Sequence, residues 1–182
     1  MERLEIESCL ESMQIIVDNR EQPSERAKQR YESFGCEYRR QTLDYGDYTY
    51  NFILPSGKEL FTEAERVNGN VVIERKMNLD ELANCFTHER KRFAAEFERA
   101  KLNNAKVYLL VENGNWELLL NGSYRSQFRP ASFKASITAY MARYDMSVIF
   151  CKNETSGKLI REILYRELKE RLENGFYDFL IN

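Results

Sequence analysis

One histidine, His88, stands in 182 residues. That excludes zincin-type and two-histidine metal chemistry, which needs imidazoles in pairs. Cysteine is sparse and scattered: Cys9, Cys36, Cys85 and Cys151 form no C-x-x-C pair, so neither a zinc site nor a dithiol redox motif is encoded. Reduced thiols of a cytoplasmic protein are the plain reading. No apolar run reaches the roughly 20 residues of a membrane span. The charged start, Met1-Glu2-Arg3-Leu4-Glu5, does not resemble a secretory signal. A basic excess is missing too: 27 Lys and Arg against 29 Asp and Glu give a net charge of -2, with pI near 5.7. Nucleic-acid binders are usually more basic, so any such contact must come from a local patch. Hydrophobic residues at 43% and charged residues at 31% are those of a globular domain. The length suits one domain with a real core. No internal repeat or low-complexity segment is present.

What is there centres on Val71-Val72-Ile73-Glu74-Arg75-Lys76. Three β-branched residues run into a charged triplet, and alternation along a strand puts Glu74 and Lys76 on one face and Arg75 on the other. A carboxylate and an ammonium at the end of a buried strand are costly unless something engages them. A second carboxylate is available upstream, Asp47 in the turn Tyr45-Gly46-Asp47.

In chain order, residues 1–12 form a charged lead-in with weak helical pattern. Residues 13–17 read as a buried strand. Pro23 and Ser24 open a helix with Ala27, Tyr31 and Phe34 on one stripe, and Gly35 ends it. Residues 37–43 and 48–54 read as strands, 58–61 as a hairpin partner and 63–70 as a loop. Asn78 caps a helix, and 88–103 form a longer one with a basic outer face. Residues 106–111 are a buried strand. Leu118 to Leu120 fit strand or helix equally. Residues 121–130 are a polar, basic loop. A helix over 132–144, a strand over 146–150 and a helix over 155–172 follow, then an apolar tail from Phe176 to Ile181. Strands alternating with helices predict an α/β fold, a central mixed sheet with helices on both faces.

Asp18, Asp47 and Glu74 fall at strand ends or turns, where open α/β sheets place their ligands. Mg²⁺ or Mn²⁺ takes hard oxygen ligands. Asp47 and Glu74 supply carboxylates, and a backbone carbonyl near Arg75 a third contact. Such a metal polarises a phosphate and lowers the pKa of a bound water. Lys76 is placed to hold that water or to neutralise developing charge.

Four motifs occur in order: Val17-Asp18-Asn19-Arg20-Glu21, Gly46-Asp47-Tyr48, Glu74-Arg75-Lys76 with Asp80 four residues on, and Arg92-Phe93. Together they resemble the nuclease domain of the XPF family of structure-specific endonucleases, with its Mus-type and archaeal Hef members. The resemblance runs from residue 13 onward. It implies a restriction-endonuclease-like fold and Mg²⁺- or Mn²⁺-dependent cleavage of DNA at branches, flaps or forks. Asp47 and Glu74 would hold metal and Lys76 would be catalytic, with Asp18 in the same centre. Arg20, Glu21 and Asp80 would complete or orient the site, and Arg92, with Arg90 and Lys91 beside it, would meet DNA. Residues 13–182 are then a single nuclease domain, with room for neither the helicase nor the helix-hairpin-helix domain that many members carry. This trimmed layout suggests a phage or mobile-element origin. Pairing of family nuclease domains inclines the expectation to a homodimer, or to a partner protein that supplies DNA binding.

Plainer readings stand beside these. Glu74 and Lys76 would serve equally as an edge ion pair, Asp80 as an acid favoured in a helix's first turn, and Arg90-Lys91-Arg92 as a solvated face. A catalytically silent DNA-binding or dimerisation partner, or a protein-interaction module, are the rival functions.

Overall fold

The strand expected over 71–76 lies inside a six-stranded sheet, and every other element is placed by it. The computed structural model describes residues 1–180. The strands are β1 (Gln14–Asp18), β2 (Tyr38–Gln41), β3 (Tyr48–Asn51), β4 (Val71–Lys76), β5 (Lys106–Glu112) and β6 (Ser147–Cys151). Their spatial order is β2-β1-β3-β4-β5-β6. β1 and β2 are parallel, as are β4, β5 and β6, while β3 runs antiparallel to both β1 and β4. The sheet is therefore mixed, as expected.

Among the described residues, seven α-helices flank it: α1 (Arg3–Glu11), α2 (Glu25–Glu32), α3 (Leu79–Phe86), α4 (Arg90–Leu102), α5 (Trp116–Leu120), α6 (Pro130–Tyr144) and α7 (Asn153–Glu173). One face of the sheet, with Val17, Tyr48, Ile73 and Leu110, packs against the α2 and α7 side chains Ala27, Tyr31, Ile160 and Leu164. The other, with Val72, Val107, Leu109 and Val111, packs against Leu82, Phe93, Phe97 and Ile137 of α3, α4 and α6. A smaller cluster of Ile16, Leu43, Phe61 and Val67 lets the long segment between β3 and β4 cover the β1–β2 end of that second face.

Local chemistry explains most boundaries. Ser24 accepts from Ala27 N at the start of α2, and Asn78 accepts from Glu81 N at the start of α3. Asn115 accepts from Leu118 N and makes 116–120 a short helix, settling the segment that periodicity left open. The strand expected over 48–54 pairs only to Asn51, and beyond it a single bridge joins Ile53 to Glu59. The N-terminal stretch read as a lead-in is helix α1, whose Cys9 is buried in the α7-side core. Of the apolar tail, Tyr177 is buried and bonded to Tyr50 through the hydroxyls at 2.7 Å, whereas Phe179 is exposed. Ile181 lies outside the described residues.

Candidate active site

The sharp turn before β3 builds one wall of the site. Gly46 has a φ of +72°, and a Cβ there would lie 2.8 Å from Val72 Cβ. Only glycine combines that conformation with so close an approach to β4. The turn delivers Asp47 to the end of β4, where Asp47 N donates to Ile73 O at 2.9 Å and Asp47 Oδ2 accepts from Arg75 N at 2.7 Å.

Alternation along β4 then does what the sequence implies. Val72, Glu74 and Lys76 face the α3–α4 side, and Ile73 and Arg75 the α2–α7 side. Glu74 is 4% exposed and accepts from Lys76 Nζ at 2.6 Å. Lys76 also lies over the Phe93 ring, 5.4 Å from its centroid. Burial works against the Lys76 charge, but Glu74 and Asp47 outweigh it and raise its pKa above the ordinary lysine value. Burial raises Asp47 well above the ordinary carboxylate range, and the neighbouring Glu74 raises it further. Glu74 is raised by burial as well, with Lys76 opposing.

A third carboxylate completes the cluster, one that motif reading missed. Glu96, on α4, accepts from Gly46 N at 3.2 Å and lies 3.9 Å from Arg20. With Glu74 it lines a cavity of about 10 Å³. Burial and Asp47 raise its pKa. A signal for it does exist: Glu96 interrupts the apolar side of α4 between Phe93, Phe97 and Ala100. A groove of about 850 Å³ lies elsewhere, at the Gln14 end of β1, lined by Glu7, Glu11, Glu37 and Glu59 with Arg161. It gathers no comparable chemistry.

Asp18 and Arg20 join this side of the sheet in a structural bond. Asp18, 1% exposed, accepts from Arg20 N at 2.7 Å, from Arg20 Nη2 at 2.6 Å and from Leu43 N at 3.3 Å. Its oxygens are engaged in holding Arg20 and β2's exit, and Arg20 is thereby aimed toward Glu96 and Asp47. Glu21 is on the opposite face. It accepts from Tyr48 Oη and Arg75 Nε, both at 3.0 Å. Arg75 also reaches Glu112 at 3.3 Å, which pairs with Arg30 at 3.1 Å. Two arginines and two glutamates thus form a balanced buried network behind β4, in which Tyr48 Oη joins Arg30 to Glu21 and Ser156 Oγ accepts from Arg30.

The remaining expected residues lie apart from this cluster. Asp80, near the start of α3, accepts from Arg125 N at 2.7 Å and Ser126 N at 2.8 Å, and so binds the loop 121–130. Arg90, Lys91 and Arg92 are exposed on α4, with Arg92 near Glu89 at 3.4 Å. His88 is an exposed neighbour of Thr87 and Asn84. Among the described residues, no three His, Cys, Asp or Glu side chains are arranged as a ready metal site.

A mixed sheet of this order, flanked by helices on both faces and carrying acidic groups and a lysine at the end of its central strand, is a restriction-endonuclease-like fold. The family model of the ERCC4 domain matches residues 17–163. The chain belongs to the ERCC4 domain family. Two solved structures share the fold: XPF from Aeropyrum pernix, 18% identical over 85% of this chain with a TM-score of 0.58, and the same protein in complex with DNA, 19% identical over 86% with a TM-score of 0.56. The matches span 61% and 65% of those chains, under two thirds of each. No curated protein matches the sequence. No helix of the described residues is long and apolar enough to cross a membrane.

Proposed function

We propose that this chain is a metal-dependent DNA endonuclease that hydrolyses phosphodiester bonds, with branched, flap or fork DNA as its preferred substrate. The ERCC4/XPF family is a nuclease family, and the fold and the DNA-bound structural relative agree with that class. The observation that carries the reading is the surplus of carboxylates on one face of the sheet. Asp47, Glu74 and Glu96 converge there with raised pKa values, while the cations beside them are Lys76, bonded to Glu74, and the half-exposed Arg20, 3.9 Å from Glu96. Asp47 accepts one hydrogen bond among the described residues, from a backbone N–H. A cluster so short of positive charge suits a hard divalent cation.

The donor chemistry fits Mg²⁺ or Mn²⁺. Asp47 and Glu74 would hold the ion, with the Arg75 carbonyl, which a strand turns to the same side as its own N–H. The bound ion would polarise the scissile phosphate and acidify a water. Lys76, kept protonated beside Glu74, is a donor positioned for developing negative charge. Arg20, half exposed and aimed by Asp18, is placed to orient a phosphate. Glu96 holds the Gly46 turn and with it the position of Asp47.

The test is a cleavage assay on flap, fork, single-stranded and duplex DNA in Mg²⁺, Mn²⁺ or EDTA, with wild type beside Glu74→Gln and Asp47→Asn. Metal-dependent cutting lost in both variants is the expected result. Unchanged turnover in either variant removes that residue from the site.

A further inference from the structure

Between Asn121 and Tyr144 the sequence carries no acidic residue, although the chain has 29 Asp and Glu in all. The stretch holds Arg125, Arg129, Lys134 and Arg143. Its first part, the loop before α6, is built more firmly than a polar surface loop needs to be. Asp80 Oδ1 accepts two successive backbone N–H groups, of Arg125 at 2.7 Å and Ser126 at 2.8 Å, and Oδ2 lies 3.3 Å from Arg125 Nε. Tyr124 Oη donates to Phe128 O at 2.6 Å, and Phe128 N donates to Ser126 Oγ at 3.2 Å. The Tyr124 and Phe128 rings both pack on Phe133 of α6, with centroids 5.4 and 5.3 Å away.

This bracing displays a cation. The Arg125 side chain is 88% exposed, and an ion pair so open to water adds little stability. Asp80 fixes the backbone and leaves the guanidinium tip outward. The loop is also tied to the cleavage strand, since Asp80 follows the Asn78 cap that lies two residues beyond Lys76. The helix α4 adjoins α6, which follows the loop. Phe86 packs on Phe133 at 6.1 Å, and Phe86 and Phe93 on Tyr140 at 5.0 and 5.6 Å. Arg90, Lys91 and Arg92 therefore sit on a helix next to α6, which carries Lys134 and follows the loop of Arg125 and Arg129. In a chain of net charge -2, these residues form the local basic surface that its composition demands of a nucleic-acid binder.

We propose that the loop from Tyr124 to Arg129, pinned by Asp80, is a preformed phosphate-contact finger that receives the DNA backbone beside the cleavage strand. The inference rests on the nuclease reading for its partner. It assigns Asp80 a positioning role, acting through the loop rather than through the metal. Because the loop backbone is already fixed, it loses little freedom on contact, and the bracing favours binding without adding a contact of its own.

The experiment is fluorescence anisotropy of labelled flap and duplex DNA in EDTA, over a series of salt concentrations. The proteins are wild type, Arg125→Ala, Asp80→Ala and the double variant, with thermal unfolding as a fold control. Each lost phosphate contact flattens the slope of log affinity against log salt by about one. Arg125→Ala is expected to weaken binding and flatten the slope by that amount. Asp80→Ala should do the same, and the double variant should lose no more than either single one. An unchanged slope in Arg125→Ala, while wild type binds, overturns the finger and leaves the nuclease reading standing. Additive losses in the double variant overturn the positioning role of Asp80. Wild type without salt-dependent DNA affinity overturns both readings together. Arg125 is surface-exposed, so its variant stays informative even if Asp80→Ala unfolds.

Discussion

The same chemical change, carboxylate to amide, is expected to have opposite signs on the two faces of the sheet. Behind β4, Glu112 is 1% exposed and lies 3.1 Å from Arg30 and 3.3 Å from Arg75. Arg30 is 5% exposed. Glu112→Gln leaves two buried guanidinium groups sharing the one carboxylate of Glu21. Removing one member of a buried ion pair costs about 3–5 kcal/mol. For a chain of this size each kcal/mol moves the melting point by about 2–4 °C, so a fall of roughly 6–20 °C is expected. At the site, Asp47→Asn removes a charge that burial and Glu74 both disfavour, while the amide oxygen still accepts from Arg75 N. A gain of about 0.5–2 kcal/mol is expected in the metal-free protein. Urea unfolding in EDTA, with slopes compared to confirm two-state behaviour, measures both. Destabilisation by both changes, or by neither, would refute the charge balance assigned to the two faces.

Gly157 of α7 has no room for a side chain: a Cβ there meets Arg30 O of α2 and Oγ of Ser33, the residue that ends that helix. Gly157→Ala should cost about 1–3 kcal/mol of stability or more in the same urea assay. Glu96→Gln keeps an acceptor for Gly46 N, whereas Glu96→Ala does not. The glutamine variant, which holds the turn but removes the charge, is expected to lose part of the Mn²⁺ affinity by paramagnetic resonance, and the alanine variant, which loses both, about tenfold or more. Lys76→Met leaves Glu74 buried without its cation, so cleavage should fall about a hundredfold or more while DNA affinity in EDTA changes little. Burial works against the Asp80 charge, but the N–H groups of Ser126 and Arg125 outweigh it and hold its pKa below the ordinary 3.8. A depressed carboxylate stabilises the fold above its unfolded pKa, and that contribution is lost as pH falls through the folded value. The stability difference between wild type and Asp80→Asn should therefore be full above about pH 5 and shrink below pH 3.8, as followed by thermal unfolding.

The sequence made the strand and its charged end legible because both signals are local. An apolar run announces β4, period-two alternation sorts Glu74 and Lys76 from Arg75, and Gly46 marks the turn that carries Asp47. What it hid depends on distant packing. The partner of Asp80 lies on a loop 45 residues further along, so its place in a motif does not show which segment it binds. Asp18 also belongs to a motif, yet the motif could not show that Arg20 and Leu43 N engage its oxygens. Glu96 and Arg30 were partly readable. Arg30 falls on the stripe of Ala27, Tyr31 and Phe34, and Glu96 on the apolar side of α4. A charge at an apolar register position is a local rule broken, and both breaks point to a buried partner across the fold.

Those two breaks flank one strand. β4 ends in three charges, and a strand must send them to both faces of a sheet that is covered on both. On the α2–α7 side the cost of burial is met by neutralisation, with Arg30 and Glu112 recruited from α2 and β5 to balance Arg75 and Glu21. On the α3–α4 side α4 instead brings another carboxylate, Glu96, toward Asp47 and Glu74. Stability alone would favour a cation there, as the opposite face shows. Local rules fail most often where function requires it, and a carboxylate surplus at the strand end is what a bound divalent ion and a phosphate would neutralise in turn. Had Glu96 been an arginine, the two faces would match in charge balance and the site would have no electrostatic reason to take up a metal.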